Sequence, residues 1–189
     1  MKKIILGSNS PRRRELLGGL DIDFTVDTGN TFEETPEPGT EPHLVPLHMS
    51  QGKSHGFHRP LADDELLITA DTVVICGGVV MGKPYSHEEA FDMLRALSGK
   101  THEVVTAVTI RDCSHETSFT DSTLVDFAEM DDAEINYYID RYKPYDKAGA
   151  YGIQEWIGYT LISSIKGSFY NVMGFPVHRV YKALSEFEG

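Results

Sequence analysis

Cysteine is scarce. The two present, Cys76 and Cys113, form neither a CxxC pair nor a metal-ligand pattern, so a disulfide framework and a thiolate metal site are both excluded. Both are expected to be reduced and structural. Long apolar runs are also missing. None approaches the roughly 20 residues needed to span a bilayer. After the basic start Met1-Lys2-Lys3, the run Ile4-Ile5-Leu6 is too short for a signal-peptide core, so the expected location is the cytoplasm. Positive charge is in short supply: 17 Lys and Arg against 29 Asp and Glu leave a net charge of −12. That balance argues against nucleic acid or a membrane surface as partner. It leaves room for a small anionic substrate where the few basic residues cluster or a divalent metal adds charge. No repeat or linker divides the 189 residues, a length that suits one domain or two small lobes sharing a core.

The basic residues do cluster. Lys3–Gly7 is a short apolar run with the length of a buried strand. Ser10 then suits a helix N-cap, and Pro11 the first helical position. Arg12-Arg13-Arg14 follow at once, where the helix dipole disfavours cations. Three arginines at this point suggest a polyanion as the missing partner, since helix N-termini and guanidinium forks both suit phosphate. A solvated basic turn paired with the acidic chain is the competing reading. If the arginines only burden the helix, removing Arg13 should stabilise it by about a few tenths of a kcal/mol.

Further along, Asp23–Thr28 predicts a strand, Gly29–Pro42 an acidic surface loop carrying Glu33-Glu34, and His43–His58 a helix carrying Lys53. By spacing alone, Glu33-Glu34 is most simply solvated. Leu66–Ala70 and Val73–Cys76 predict one long buried strand interrupted by Asp71-Thr72. A carboxylate in such a run is costly unless it is paired or metal-bound, which marks Asp71 as functional. Gly77-Gly78 predicts a hairpin turn, and Gly82-Lys83-Pro84 places a lysine at the end of the return strand. Ser86-His87-Glu88-Glu89 has the form of a capping box before a helix that ends near Gly99. Glu103–Arg111 and Thr117–Met130 predict a β-hairpin. Asp131–Tyr142 predicts a helix with Ile135, Tyr138, Ile139 and Tyr142 inward. The small-residue segment Lys147–Gln154 suits a ligand wall. Tyr159–Ile165 predicts a strand, and a last helix is expected to bury Val180, Tyr181, Leu184 and Phe187. The mixture predicts an α/β fold with a mixed, strongly twisted sheet.

Several segments together resemble the Maf family, the septum-formation-associated nucleotide pyrophosphatases. The matching stretches are Ser8-x-Ser10-Pro11-Arg12-Arg13, Glu33-Glu34-Thr35, Lys53, Ala70-Asp71-Thr72-Val73-Val74 and Gly82-Lys83-Pro84 in the first half. Leu97–His102, Asp146–Gln154 and Gly167–Pro176 follow in the second. Each is weak alone, but the ordered set covers nearly the whole chain and is specific. The stretch His48–Gly56 lacks the alanines usual around the family's lysine, and Phe175 stands for a common Leu.

The resemblance implies one Maf-like domain over residues 1–189, with two lobes around a nucleotide cleft as in inosine triphosphate pyrophosphatases. It implies hydrolysis of dTTP and UTP, and of modified pyrimidine nucleotides, to the monophosphate and pyrophosphate. That is a house-cleaning activity linked to cell-division arrest; the alternative is a non-hydrolysing nucleotide-binding regulator of septum formation. Asp71 is implied as catalytic base, and Glu34 with Asp71 as ligands of a divalent cation, Mg²⁺ or Mn²⁺. Ser8, Arg13, Lys53, Lys83 and Lys147 are implied as substrate contacts. Arg12, Thr72 and Gln154 are implied to select the base, because the sister branch acting on 7-methyl-GTP carries Trp, Gln and Glu at those positions. The expected partners are the nucleotide and, at most, a second copy in a homodimer.

Overall fold

A computed structural model describes residues 2–187; Met1 of the basic start lies outside them. Strand β1 (Lys3–Leu6) leads through Ser10 into helix α1 (Pro11–Gly18). There the Ser10 hydroxyl accepts the Arg13 backbone N–H at 3.4 Å, and proline occupies the first turn. Strand β2 (Phe24–Val26) and helix α2 (Val45–His55) follow. Strand β3 (Glu65–Cys76) runs without a break through Asp71 and Thr72. Gly77 and Gly78, both at positive φ, turn the chain into β4 (Val79–Met81), as such hairpin turns require.

Next come α3 (His87–Leu97), β5 (Thr101–Arg111), β6 (Glu116–Phe127) and α4 (Asp132–Tyr142). The chain ends with α5 (Trp156–Thr160), β7 (Ile162–Lys166), α6 (Phe169–Val172) and α7 (Val177–Leu184). Among the described residues the strands form one mixed seven-stranded sheet in the order β2-β1-β3-β5-β6-β7, with β4 paired to β3 off that path. The α/β class with a mixed sheet is therefore as expected. No helix among the described residues is long and apolar enough to cross a membrane.

The chain divides into two compact units. The first holds the chain up to Asp71, Thr106–Asp121 and the chain from Gly174; the second holds Thr72–Val105 and Ser122–Met173. The first unit is built on parallel pairing of β1 with both β2 and β3, with Leu6 opposite Val26 and Ile68. Its core includes Leu6, Leu17, Leu67 and Ile68, all fully buried, each contributing roughly 1.5–3 kcal/mol by leaving water. The second unit pairs β4 with β3 from Val74 to Cys76 and β7 with β6. It buries Leu94 and Leu97 of α3 with Ile135, Tyr138 and Ile139 of α4.

Several local expectations change. The Ser86 capping box is one-sided: its hydroxyl accepts the Glu89 N–H at 3.1 Å, but the Glu89 carboxylate caps the Tyr85 N–H at 2.7 Å instead. The reciprocal box forms at Asp131 and Glu134, before α4. Residues Trp156–Thr160, in part read as strand, are helical, and β7 begins only at Ile162. Tyr181 is exposed, while Val180, Leu184 and Phe187 are buried as expected.

Candidate active site

In the first unit, β3 places Asp71 at the end of the apolar run Leu66–Ala70. Its pairing with β1 stops at Ile68 and its pairing with β4 starts at Val74, so Asp71 and Thr72 fall between the two registers. The Asp71 carboxylate accepts a hydrogen bond from the Lys53 ammonium at 2.7 Å. Lys53 also meets Glu34 at 2.9 Å. Lys53 and Asp71 are mostly buried, with 14% and 18% of their side chains exposed, whereas Glu34 is 60% exposed. The pair is thus largely shielded from solvent screening, and Glu34 is its open side.

The acidic loop reaches Lys53 because it is tied to the end of α2. The Thr31 N–H donates to the Gly56 carbonyl at 2.9 Å, and the Asn30 side chain accepts the Phe32 N–H at 2.8 Å. The Phe32 ring then lies so close over Gly52 that a β-carbon there would stand 2.3 Å from it. Gly52 weakens the helix by propensity, but it lets the loop approach and so brings Glu34 to Lys53.

Arg13 supports the same place from behind. Its Nη1 donates to the Ala70 carbonyl at 2.9 Å and to the Ser8 hydroxyl at 3.4 Å, and its Nε donates to the Gly174 carbonyl at 2.9 Å. Burial lowers the Arg13 pKa, partly offset by Asp71, yet a guanidinium stays charged. Arg13, expected as a phosphate contact, thus donates to two backbone carbonyls, one of them beside Asp71, and is more than a burden on the helix start. Ser8 is buried, and its hydroxyl also accepts the Ser10 N–H at 3.2 Å. Arg12 is half-buried on the same turn.

The second unit holds Thr72, Lys83, Lys147 and Gln154. Thr72 is half-buried and Lys83 exposed. The Gly149 N–H donates to the Gly82 carbonyl at 3.0 Å, tying the small-residue segment to the stretch that carries Lys83. Lys147 is 7% exposed, and its ammonium lies 2.8 Å from Asp146 and 3.2 Å from Glu155. Gln154 sits in a turn closed by the Glu155 N–H donating to the Gly152 carbonyl at 3.0 Å. Its buried Oε1 has no hydrogen-bond partner among the described residues. Sequence reasoning passed over Tyr138 as core and over Glu155, though both hold this turn. A tyrosine in place of phenylalanine on a fully buried helix face was the available signal, because its hydroxyl must find a partner.

No group of three or more His, Cys, Asp or Glu among the described residues could hold a metal. The two carboxylates converging on Lys53 do fit a hard cation of the Mg²⁺ type, which takes one or two carboxylates and completes its shell with water and substrate phosphates.

Comparison with known proteins puts this arrangement in context. The sequence model described as Maf-like protein matches residues 3–187. The chain belongs to the Maf family. A "dTTP/UTP pyrophosphatase" of Porphyromonas gingivalis is 52% identical over 98% of this chain and 94% of its own. One of the same name from Parabacteroides distasonis is 51% identical over 98% of this chain and 96% of its own. Among solved structures, a HAM1 protein from Coxiella burnetii aligns over 98% of the Maf chain and 100% of its own at a TM-score of 0.52 and 14% identity, a likeness of fold alone.

Proposed function

We propose that this Maf-family chain is a nucleoside triphosphate pyrophosphatase. It hydrolyses dTTP and UTP between the α and β phosphates, giving the monophosphate and pyrophosphate. The observation that carries the reading is the Glu34–Lys53–Asp71 cluster, with both carboxylates within 3 Å of one ammonium and Arg13 bonded to the carbonyl before Asp71. The whole-length likeness to relatives bearing that activity in their names supports it.

Asp71 accepts the proton of the attacking water. Lys53 holds the Asp71 carboxylate in place and adds positive charge where phosphate oxygens gain negative charge. Arg13 fixes the backbone at Ala70 and, with the buried Ser8 hydroxyl on the same turn, contacts the substrate. Lys83 is a further phosphate contact. A divalent cation held by Glu34 and Asp71, Mg²⁺ or Mn²⁺, supplies Lewis-acid charge to the phosphate oxygens when bound.

Gln154, with Arg12 and Thr72, selects the base. A glutamine amide offers donor and acceptor together, which suits a pyrimidine edge with an N3–H between two carbonyls. Its unpartnered buried oxygen is the kind of group a ligand hydrogen bond would satisfy.

A panel of nucleoside triphosphates, assayed for pyrophosphate release with added Mg²⁺ or Mn²⁺ and after exhaustive chelation, tests this reading. Release is expected from dTTP and UTP well ahead of dGTP and 7-methyl-GTP, and only with the cation. Nucleotide binding without turnover would favour the non-hydrolysing regulator instead. Full turnover after chelation would remove the metal from the scheme.

A further inference from the structure

The turn that carries Gln154 is closed from beneath by one hydroxyl. Gly152 and Glu155 are its first and last residues, with Ile153 and Gln154 at its tip. The Gly152 N–H donates to Tyr138 Oη at 2.9 Å, and Tyr138 Oη donates to the Glu155 carboxylate. One oxygen on α4 thus holds both ends of the turn. Tyr138 is fully buried. Burial, then the Glu155 carboxylate, pushes its pKa well above the ordinary phenol value, so the proton it donates stays on the oxygen.

The carboxylate is fixed in its turn by the Lys147 ammonium at 3.2 Å. The packing is tight enough that a β-carbon on Gly152 would stand 3.0 Å from both Glu155 Cδ and Lys147 Cε. Lys147, implied by resemblance to touch substrate, has its charge engaged by Asp146 and Glu155 at the base of this turn.

We propose that Tyr138 is a positioning residue for base selection, acting with Glu155 and Lys147 as a clamp that holds the Gly152–Glu155 turn and so aims the Gln154 amide. Lys147 then serves this clamp and not the phosphates. The proposal rests on the reading that Gln154 selects the base. A hydrogen-bonding group discriminates only while its donor and acceptor are held in register with the ligand edge. A displacement of about 1 Å can cost about a hundredfold.

The test compares kcat/KM for dTTP and dGTP in wild type, Tyr138→Phe, Gln154→Ala and the double variant. A ratio of two substrates on one enzyme is insensitive to simple loss of stability. Tyr138→Phe should lower the dTTP-to-dGTP ratio by about tenfold to a hundredfold, and should lower it little further once Gln154 is already alanine. If Gln154→Ala changes the ratio while folded Tyr138→Phe does not, the clamp is refuted and base reading survives. If Gln154→Ala leaves the ratio unchanged, base reading by Gln154 fails, and the positioning role fails with it. An equal further drop in the double variant would show that Tyr138 does not act through Gln154. Should Tyr138→Phe not fold, Glu155→Gln, which keeps an acceptor for the hydroxyl, is expected to hold the ratio where Glu155→Ala loses it. Equal ratios in those two, or loss of folded protein in all three, overturn the proposal.

Discussion

At Asp71 the chain accepts an unfavourable residue and surrounds it with compensation. A carboxylate at the end of a buried apolar run is costly alone, and Lys53 at 2.7 Å supplies the charge that makes it tolerable. Asp71→Asn keeps the shape and a hydrogen-bonding oxygen but cannot take a proton from water. Turnover of dTTP should fall by about 10²–10⁴-fold with the circular dichroism unchanged. A purified, folded variant with near-normal kcat would remove Asp71 as base.

Arg13 carries a different cost. Truncation to alanine removes the guanidinium donors to the Ala70 and Gly174 carbonyls, and a hydrogen bond from a charged group contributes about 1.5–3 kcal/mol. Arg13→Ala should therefore lose stability in urea denaturation, and Arg13→Lys should recover only part, since one ammonium lacks the guanidinium fork. Unchanged stability in Arg13→Ala would show that both carbonyls find water. The anomaly of arginines at a helix start was legible in the sequence. That one of them turns inward to backbone carbonyls was not, because its partners lie 57 and 161 residues away.

Elements with a clear local signal were legible. Ser10-Pro11 opens α1, Gly77-Gly78 turns between β3 and β4, and the long β3 with its interrupting carboxylate follows from the apolar run. The elements missed are those fixed by distant contacts. Apart from Gly158, Trp156–Thr160 is composed of residues that favour strands, and its five residues are too few for helical periodicity to register. Its helix is set by packing: a β-carbon at Gly158 would stand 1.7 Å from the Ile153 carbonyl oxygen. Backbone cannot yield as a side-chain tip can, so Gly158→Ala must distort either α5 or the turn before it. Overpacking of this kind costs about 1–3 kcal/mol, and the melting temperature should fall by roughly 2–12 °C for a chain of this size. An unshifted melting curve would mean that α5 relaxes freely. The Glu33-Glu34 loop reads as solvated and both residues are exposed; its meeting with Lys53 was not legible, because its anchor at Gly56 and the Phe32–Gly52 contact are tertiary.

For the molecule as a whole, acid is the informative perturbation. His102 in the second unit is 2% exposed. Its Nε2 is hydrogen-bonded with Tyr151 Oη at 2.7 Å, its ring stacks on Phe127 with centroids 5.2 Å apart, and its buried Nδ1 has no partner among the described residues. Burial pulls its pKa down to about 4, partly opposed by the nearby Asp126. The unfolded chain, with an ordinary histidine pKa near 6.5, therefore binds this proton first. Stability from His102 is fully present above about pH 6.5 and is lost as the pH falls towards about 4, at up to about 1.4 kcal/mol per pH unit and about 3 kcal/mol in all. The carboxylates act lower. Glu65, held down to about 2 by Arg59, and Asp112, held down by Lys2, keep their contribution above the unfolded carboxylate range and lose it only as the pH drops below that. Acid unfolding should thus show two regimes. Urea titrations between pH 7.5 and 3 should give a decline beginning near pH 6.5 and steepening below about pH 4.5. In a folded His102→Gln variant the upper part of the decline should flatten while the lower part stays. If the variant and wild type keep parallel curves throughout, His102 is not the group that senses the upper range.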